Sequence, residues 1–200
     1  IYEVAVYNIK APILTDSLKI EGNQMSTCFG GVDGAIGIRS IYSVENAIEN
    51  IKVSEAGVIY GVVTEKNPIS VNDMIINSDN KYVYNCAATV KGKLDKVYGD
   101  SQTASYYART MNISDFSAQG YSMTYYVRPY AILEDGTIAY GDTKSFSMYN
   151  VADDLYQGSK MNTVIAHNYL FNKILKIVNN NYKEVGYGWR NGIVKPSQAN

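Results

Sequence analysis

The sequence predicts a mainly β protein: an antiparallel β-sandwich with additional N-terminal strands and a C-terminal α-helix. Short segments rich in β-branched and aromatic residues recur along the chain with turn residues between them. The 19 tyrosines, against 4 phenylalanines and 1 tryptophan, fit pleated, half-buried surfaces. After residue 150 the apolar spacing changes to three and four. Many short strands at regular spacing indicate a sandwich or barrel and not alternating βαβ units.

The turn residues divide the chain into expected strands. We expect them at residues 1–9, 14–20, 35–44, 53–63, 81–90, 104–113, 122–133 and 137–149. One helical turn is expected within 43–50, and 64–80 is expected to be mostly loop because it contains Asn67-Pro68. Asp135-Gly136 predicts the clearest hairpin, because Gly136 supplies the positive φ that a two-residue turn needs.

An amphipathic helix is predicted to follow the last strand. Asn150 is its expected N-cap, Gly158 an expected break or kink, and 179–181 its end. Its apolar side consists of Leu155, Met161, Val164, Ile165, Tyr169, Ile174, Leu175 and Val178. Such a stripe needs a cover, so we expect the helix to fold back on the sandwich, with a partner subunit as the alternative cover. We expect a monomer or a weak homo-oligomer.

Composition and charge narrow the classes of partner. No apolar stretch of about 20 residues occurs, so no membrane-spanning segment is predicted. The net charge is −1, from 18 basic and 19 acidic residues spread without runs. Nucleic acid and anionic lipid surfaces, which basic patches recognise, are therefore not expected partners.

The composition suggests an exported protein. Only 18% of the residues are charged, whereas Asn, Ser and Thr are abundant. The chain opens at Ile1 without a signal-like segment, so we expect a mature protein or one whose upstream sequence is missing.

Cys28 and Cys86 permit at most one disulfide; a Cys28–Cys86 bridge and two buried free thiols both remain open.

No catalytic residue, cofactor or metal site is predicted. His167 is the only histidine, and its position within the helix favours a solvated or hydrogen-bonded side chain over a catalytic one. The glycines of 28–34 lack the following helix and Lys-Ser/Thr pair of a phosphate loop. The aspartates at 153–154 are explained equally well as negative charges at a helix N-terminus and as calcium ligands. Residues 78–80 also carry oxygen atoms that suit calcium. The remaining carboxylates form no motif, so an enzyme is not expected.

Several segments resemble one family. They are Ser54-Glu55-Ala56-Gly57-Val58-Ile59-Tyr60, Asn67-Pro68, Thr124-Tyr125-Tyr126-Val127-Arg128-Pro129-Tyr130-Ala131, Asp135-Gly136-Thr137, Tyr140-Gly141 and Ser145-Phe146. Their order and spacing resemble the fibronectin type III-like and immunoglobulin-like modules of bacterial surface proteins, over about residues 35–149. The resemblance implies that 125–131 is a central strand and that the segment ending at Phe146 is the last strand.

The resemblance also implies a location and a class of function. Such modules are secreted or displayed at the cell surface, where they act in adhesion or protein interaction or space neighbouring domains. We therefore expect a non-catalytic extracellular module, with a cell-surface protein or a polysaccharide as partner. The expected organisation is an N-terminal extension (1–34), the sandwich (35–149), and a helix with an irregular tail (150–200).

The alternative is a carbohydrate-binding module, possibly accessory to a glycan-degrading enzyme, because tyrosine rings with polar neighbours stack on sugars. The expected ligand-binding residues are Tyr126, Arg128, Tyr130 and Trp189; Tyr106, Tyr107 and Tyr187 are further candidates. Alternation places Tyr125, Val127 and Pro129 on one face of their strand and Tyr126, Arg128 and Tyr130 on the other. Arg128 can instead form a structural cation–π contact with neighbouring tyrosines.

Overall fold

A computed structural model describes residues 10–26, 37–87, 103–158 and 164–187. The strands are β1 (Ile13–Leu14), β2 (Leu18–Ser26), β3 (Gly37–Glu45), β4 (Ala47–Ile48), β5 (Ile51–Val63), β6 (Val83–Ala87), β7 (Ala104–Asn112), β8 (Thr124–Leu133), β9 (Ile138–Tyr140) and β10 (Lys144–Phe146). The helices are α1 (Ala118–Ser122), α2 (Met148–Gln157), α3 (Val164–Leu170) and α4 (Lys176–Val178), with a 3₁₀ turn at Val71–Asp73 and a π-helical turn at Phe171–Leu175 that joins α3 to α4. The chain is mainly β with a C-terminal helical segment, as predicted.

The strands form two hydrogen-bonded sheets. The smaller sheet has the antiparallel order β2-β3-β7. In the larger sheet, β8 lies between β5 on one side and β9 with β10 on the other. β4 and β6 pair with the outer side of β5, and β1 adds to β9 as the one parallel pair of the described strands. β8 is thus the central strand of the larger sheet.

One core joins the two sheets and the helices. Val58 of β5, Val127 of β8 and Tyr42 of β3 belong to a single buried cluster with Met148 of α2 and Leu170 of α3. α2 contacts β2, β3 and the π-helical turn, and α1 contacts both α2 and α4. The helical segment therefore completes the core of the β structure. Within the described residues, no helix has the length and apolar character needed to cross a membrane.

The outer face of the larger sheet is also covered. The loop at 64–80, predicted as loop, places Ile69 and Met74 against Ile59, Tyr130 and Tyr140. Its 3₁₀ turn is held by Ser70 and Asp73, whose carboxylate accepts from the Ser70 backbone N–H at 2.6 Å and from the Ser70 hydroxyl at 2.8 Å. The central strands of this sheet are therefore buried on both faces.

Several turns differ from the sequence predictions. The helical turn expected within 43–50 is wrong: β4 and β5 form a hairpin there, and its central residues Glu49 and Asn50 both have the positive φ of a type I′ turn. The predicted hairpin after β8 exists, but its loop is longer than two residues. Only Gly136 has positive φ there, and its N–H bonds to the Leu133 carbonyl at 2.9 Å, the geometry of a type I turn with a bulge.

Two predicted strands are interrupted. The strand expected at 14–20 is divided between the sheets, because β1 pairs with β9 whereas β2 pairs with β3. The strand expected at 137–149 is broken between β9 and β10. The helix then begins earlier than expected, because Ser147 rather than Asn150 is the N-cap and its hydroxyl accepts from the Asn150 N–H at 3.0 Å. The predicted strand at 1–9 and the glycine loop at 28–34 lie outside the described residues.

Candidate functional site

Three adjoining cavities surround the start of β8. The first, which we call the inter-sheet cleft, has a volume of about 300 Å³ and is lined by Tyr60, Arg109, Met111, Asp115, Met123 and Tyr125 together with neighbouring residues of β5, β7 and the segment after β7. The second, the turn groove, measures about 610 Å³ and lies between 63–67 and 119–124. The third, of about 200 Å³, is lined mostly by hydroxyl-bearing residues such as Ser122 and Ser145. Met123 borders the first two cavities, but Val62 lines the first and Val63, the next residue of β5, lines the second, so the two open on opposite faces of the larger sheet.

The register of β7 directs Arg109 toward the interior. Tyr107 and Met111, its neighbours at two-residue spacing, both pack in the main core, so the alternation of the strand puts Arg109 on the same face. Its partner across the ladder, Ser40, is buried, and the Ser40 hydroxyl donates to Asn23 Oδ1 at 2.9 Å. Asn23, Ser40 and Arg109 thus form a polar row across the inner face of the smaller sheet.

Arg109 has unused hydrogen-bonding capacity. Its Nε is buried and has no hydrogen-bond partner among the described residues. A guanidinium carries five N–H donors in a planar fork and is always charged in proteins. The side chain therefore brings a fixed positive charge to the lining of the cleft and carries an unpaired, buried donor.

Tyrosine rings form the walls of the cleft. The Tyr60 ring stacks on that of Tyr84 with centroids 5.1 Å apart and planes 22° apart. Burial raises the pKa of Tyr60, and the positive charge of Arg109 acts in the opposite direction. Burial also raises the pKa of Tyr125. Both hydroxyls are therefore neutral at physiological pH; Tyr60 is half-buried, whereas Tyr125 is only 6% exposed.

Asp115 provides a negative charge at the solvent-exposed rim. Its Oδ1 accepts from the Ser117 backbone N–H at 2.9 Å, and the hydrogen bonds from Ser117 lower the pKa of the carboxyl group. The Ser117 hydroxyl in turn accepts from the Gly120 N–H at 3.1 Å and caps α1. Gly120 is packed so closely that a Cβ there would lie 2.3 Å from the Asp115 carbonyl oxygen. The rim is therefore held in one conformation by α1.

The residues predicted to bind a ligand lie on the other face of the larger sheet. Tyr126 is half-buried there, whereas Arg128 and Tyr130 are only 8% and 2% exposed. The Tyr130 hydroxyl donates to Glu55 Oε1 at 3.1 Å, and Arg128 packs on the Tyr140 ring at 4.5 Å. Burial under the loop at 64–80 leaves Arg128 and Tyr130 no open surface for a sugar. Trp189 lies outside the described residues.

The remaining candidates are spread over the molecule. Tyr106 and Tyr107 lie in β7, where the Tyr107 ring stacks on Tyr42 at 5.4 Å between centroids. Tyr187 approaches His167 edge-on at 5.5 Å, close to the helices. Cys86 forms no disulfide within the described residues, and Cys28 lies outside them, so the bridge stays a prediction. Of these candidates, the ones within the described ranges are not brought together into one site.

His167 is not solvated, contrary to the sequence expectation. It is 1% exposed, and its ring stacks on Tyr156 with centroids 4.1 Å apart. Neither ring nitrogen has a hydrogen-bond partner among the described residues. The described ranges also contain no group of three or more His, Cys, Asp and Glu side chains that is placed to hold a metal ion.

The sequence patterns did not identify the cleft residues as binding groups; these are Tyr60, Arg109, Asp115 and Tyr125. One signal was present: Arg109 alternates with the apolar Tyr107 and Met111, so a charged residue stands in an inward-facing register. The cleft itself depends on how β5, β7 and β8 come together, which no local pattern encodes.

Comparison with known proteins does not assign this chain to a family. The sequence matches no family model, and no curated protein matches it. Fold and site define a mainly β protein with C-terminal helices and a polar cleft between its sheets.

Proposed function

We propose that the chain is a non-catalytic, fibronectin type III-like module, secreted or displayed at the cell surface, that acts in adhesion or protein interaction or spaces neighbouring domains. The order of the strands is the observation that carries this proposal. If β2, β3, β5, β6, β7, β8 and the β9/β10 pair are counted one to seven, the first, second and fifth form one sheet. The third, sixth and seventh lie in the other sheet, together with the fourth.

Immunoglobulin constant-type sandwiches divide their strands in nearly the same way. There the first, second and fifth strands share a sheet with the fourth, and the third, sixth and seventh form the other sheet. The present chain differs in the fourth strand, β6, which pairs with β5. The segment at 125–131, expected to be a central strand, lies in β8 between β5 and the β9/β10 pair. Both observations support an immunoglobulin-like or fibronectin-like module, whose function fold alone does not specify.

Arrays of surface proteins and polysaccharides, probed with the purified chain with and without calcium, test this function. Saturable binding to an arrayed protein supports a role in adhesion or protein interaction. If the chain binds none of the arrayed proteins or polysaccharides, a spacer is favoured. Release of a product from any arrayed glycan or protein would contradict the non-catalytic assignment.

Carbohydrate binding is the second candidate function. The inter-sheet cleft favours it, because the half-buried Tyr60 provides an aromatic ring beside polar groups in a cavity of about 300 Å³. A glycan array separates the two candidates: a sugar hit lost on Tyr60→Ala but retained on Tyr187→Ala would favour the cleft. A sugar hit equally retained by both variants would place binding elsewhere.

A further inference from the structure

We propose that the inter-sheet cleft binds the carboxylate-bearing ring of an acidic saccharide, with Arg109 holding the carboxylate. This inference rests on the carbohydrate-binding candidate function and names its ligand class and anchor. Arg109 is the residue that calls for a ligand, because its Nε is buried without a hydrogen-bond partner among the described residues. Buried donors without partners are uncommon in proteins, and a ligand that fills the cleft would supply the missing acceptor.

A carboxylate matches this donor better than a neutral hydroxyl. The planar guanidinium can donate two parallel hydrogen bonds to the two oxygens of one carboxylate, which fixes the ligand in orientation as well as position. Asp115, ionised at the rim of the same cleft, repels groups of higher negative charge such as phosphate monoesters. A single negative charge placed deep against Arg109 is therefore the best electrostatic match.

The remaining lining suits a sugar ring. A volume of about 300 Å³ is at the lower end for small-molecule sites and fits a ligand of one or two rings. The half-buried Tyr60 offers ring surface for the C–H side of a sugar, whereas Tyr125, 6% exposed, adds little open surface to the cleft wall. The exposed Asp115 carboxylate at the rim can accept from sugar hydroxyls, which a purely apolar acid would lack.

The cleft alone limits the length of saccharide that it holds. Val62 lines the cleft and packs on the main core, whereas Val63, the next residue of β5, lines the turn groove and packs on the other face of the larger sheet. Affinity should therefore rise from one to about two saccharide residues and then level off.

The experiment is a calorimetric and NMR titration of the full chain with uronic acid oligomers of one to four residues. Matched ligands are the same oligomers with their carboxylates reduced to alcohols, sulfated neutral oligomers of equal length, and glycine. The variants are Arg109→Gln and, as a control with the same change in charge, Arg39→Gln on the exposed outer side of the same sheet. We expect Arg109→Gln to weaken uronate binding at least tenfold and Arg39→Gln to leave it within twofold.

Asp115→Asn provides a test that does not depend on a loss of function. The amide oxygen still accepts from the Ser117 N–H, so the rim keeps its shape while one negative charge is removed. Affinity for the uronate should then rise about two- to fivefold, whereas affinity for the carboxyl-reduced oligomer should not rise. An unchanged or weaker uronate affinity in a variant with a native-like NMR spectrum would contradict binding in this cleft.

The remaining outcomes separate the inference from the function on which it rests. Equal affinity for acidic and reduced oligomers, or unchanged binding by Arg109→Gln, would refute the role of the carboxylate while carbohydrate binding stands. Tighter binding of the sulfated oligomer or of glycine would refute the acidic saccharide as ligand. Failure of every sugar, acidic and neutral, would refute the carbohydrate-binding function itself.

Discussion

The guanidinium of Arg128 lies over the ring of Tyr140, 4.5 Å from its centroid, between the larger sheet and the loop that covers it. Arg128 Nε donates to the Gly141 carbonyl at 2.9 Å, and its Nη1 donates to the Met74 carbonyl at 3.1 Å. The Tyr140 hydroxyl accepts from the Ile76 N–H at 3.0 Å. The two residues together thus fasten the loop at 64–80 to the sheet, and the cation–π contact that the sequence suggested for Arg128 is structural.

Replacing Arg128 by methionine should therefore destabilise the protein and loosen the loop. Two backbone carbonyls would lose charged donors in a buried place, so we expect the free energy of unfolding to fall by about 2–4 kcal/mol. Hydrogen exchange at the Ile76 amide should accelerate more than exchange at the Val127 amide in the main core. Lys144→Met is the control, because Lys144 is exposed and its ion pair with Asp142, at 3.8 Å, is worth little.

Urea unfolding measures both variants. A loss of less than about 0.5 kcal/mol for Arg128→Met, equal to that expected of an ordinary surface substitution, would show that Arg128 does not hold the loop.

The same strand shows what the sequence can and cannot reveal. Alternation in β8 correctly separated Tyr125 and Val127 from Tyr126, Arg128 and Tyr130, because successive side chains of a strand point to opposite faces. It could not reveal that the second face is covered. The covering loop has no regular apolar period, and only the tertiary structure brings it onto the sheet.

The cleft could not be predicted from the sequence for the same reason. Arg109 and Asp115 come close in sequence, but Tyr60 belongs to β5 and Tyr125 to β8, so the site exists only after the two sheets pack. Turn types were equally hard to predict where residue preferences are weak. Glu49-Asn50 adopts positive φ without a glycine, against the usual preference of type I′ turns.

Gly57 in β5 should be intolerant of any side chain. It lies opposite Tyr130 in the ladder, and a Cβ at this position would be 2.6 Å from the Tyr130 ring and 2.6 Å from the Cys86 carbonyl oxygen. Gly57→Ala should therefore lower the free energy of unfolding by about 1–3 kcal/mol through overpacking.

Gly22→Ala is the matched control for this prediction. A Cβ at Gly22 would meet nothing within 4 Å, and the backbone there does not need positive φ. Alanine should stabilise the protein by about 0.4–1 kcal/mol, because it restricts the unfolded chain. Thermal unfolding that gave the same change for both variants would contradict the close packing of Tyr130 over Gly57.

The C-terminal helices should contribute to stability according to which face a residue occupies. Leu170 is 0% exposed in the main core, whereas Ile165, in the same helix, is 68% exposed. Leu170→Ala should cost about 2–5 kcal/mol, and Ile165→Ala should stay within about 0.5 kcal/mol. If Ile165→Ala lowered the melting temperature in a concentration-dependent way, the exposed face would be an interface between subunits.

His167 should make the stability depend on pH below about 6.5, the usual pKa of histidine. Burial lowers its pKa in the folded protein, and the Asn168 side chain, the Tyr156 backbone and the Glu184 carboxylate act more weakly in the opposite direction. The aromatic rings of Tyr156 and Tyr187 pack on it. Because the unfolded chain binds the proton more readily, stability is greatest above pH 6.5 and falls as the pH is lowered toward the folded pKa.

Binding of a single proton changes the free energy of unfolding by at most about 1.4 kcal/mol per pH unit. The chain has only 1 histidine, so no other side chain with an ordinary pKa near 6.5 obscures this change. His167→Phe keeps a flat ring between Tyr156 and Tyr187 but binds no proton. Urea unfolding of this variant should give the same free energy at pH 5.5 and pH 7, whereas the wild type should lose stability at pH 5.5. Equal pH dependence in both proteins would mean that His167 accepts its proton without cost, and that its burial among the helices is looser than the ring contacts indicate.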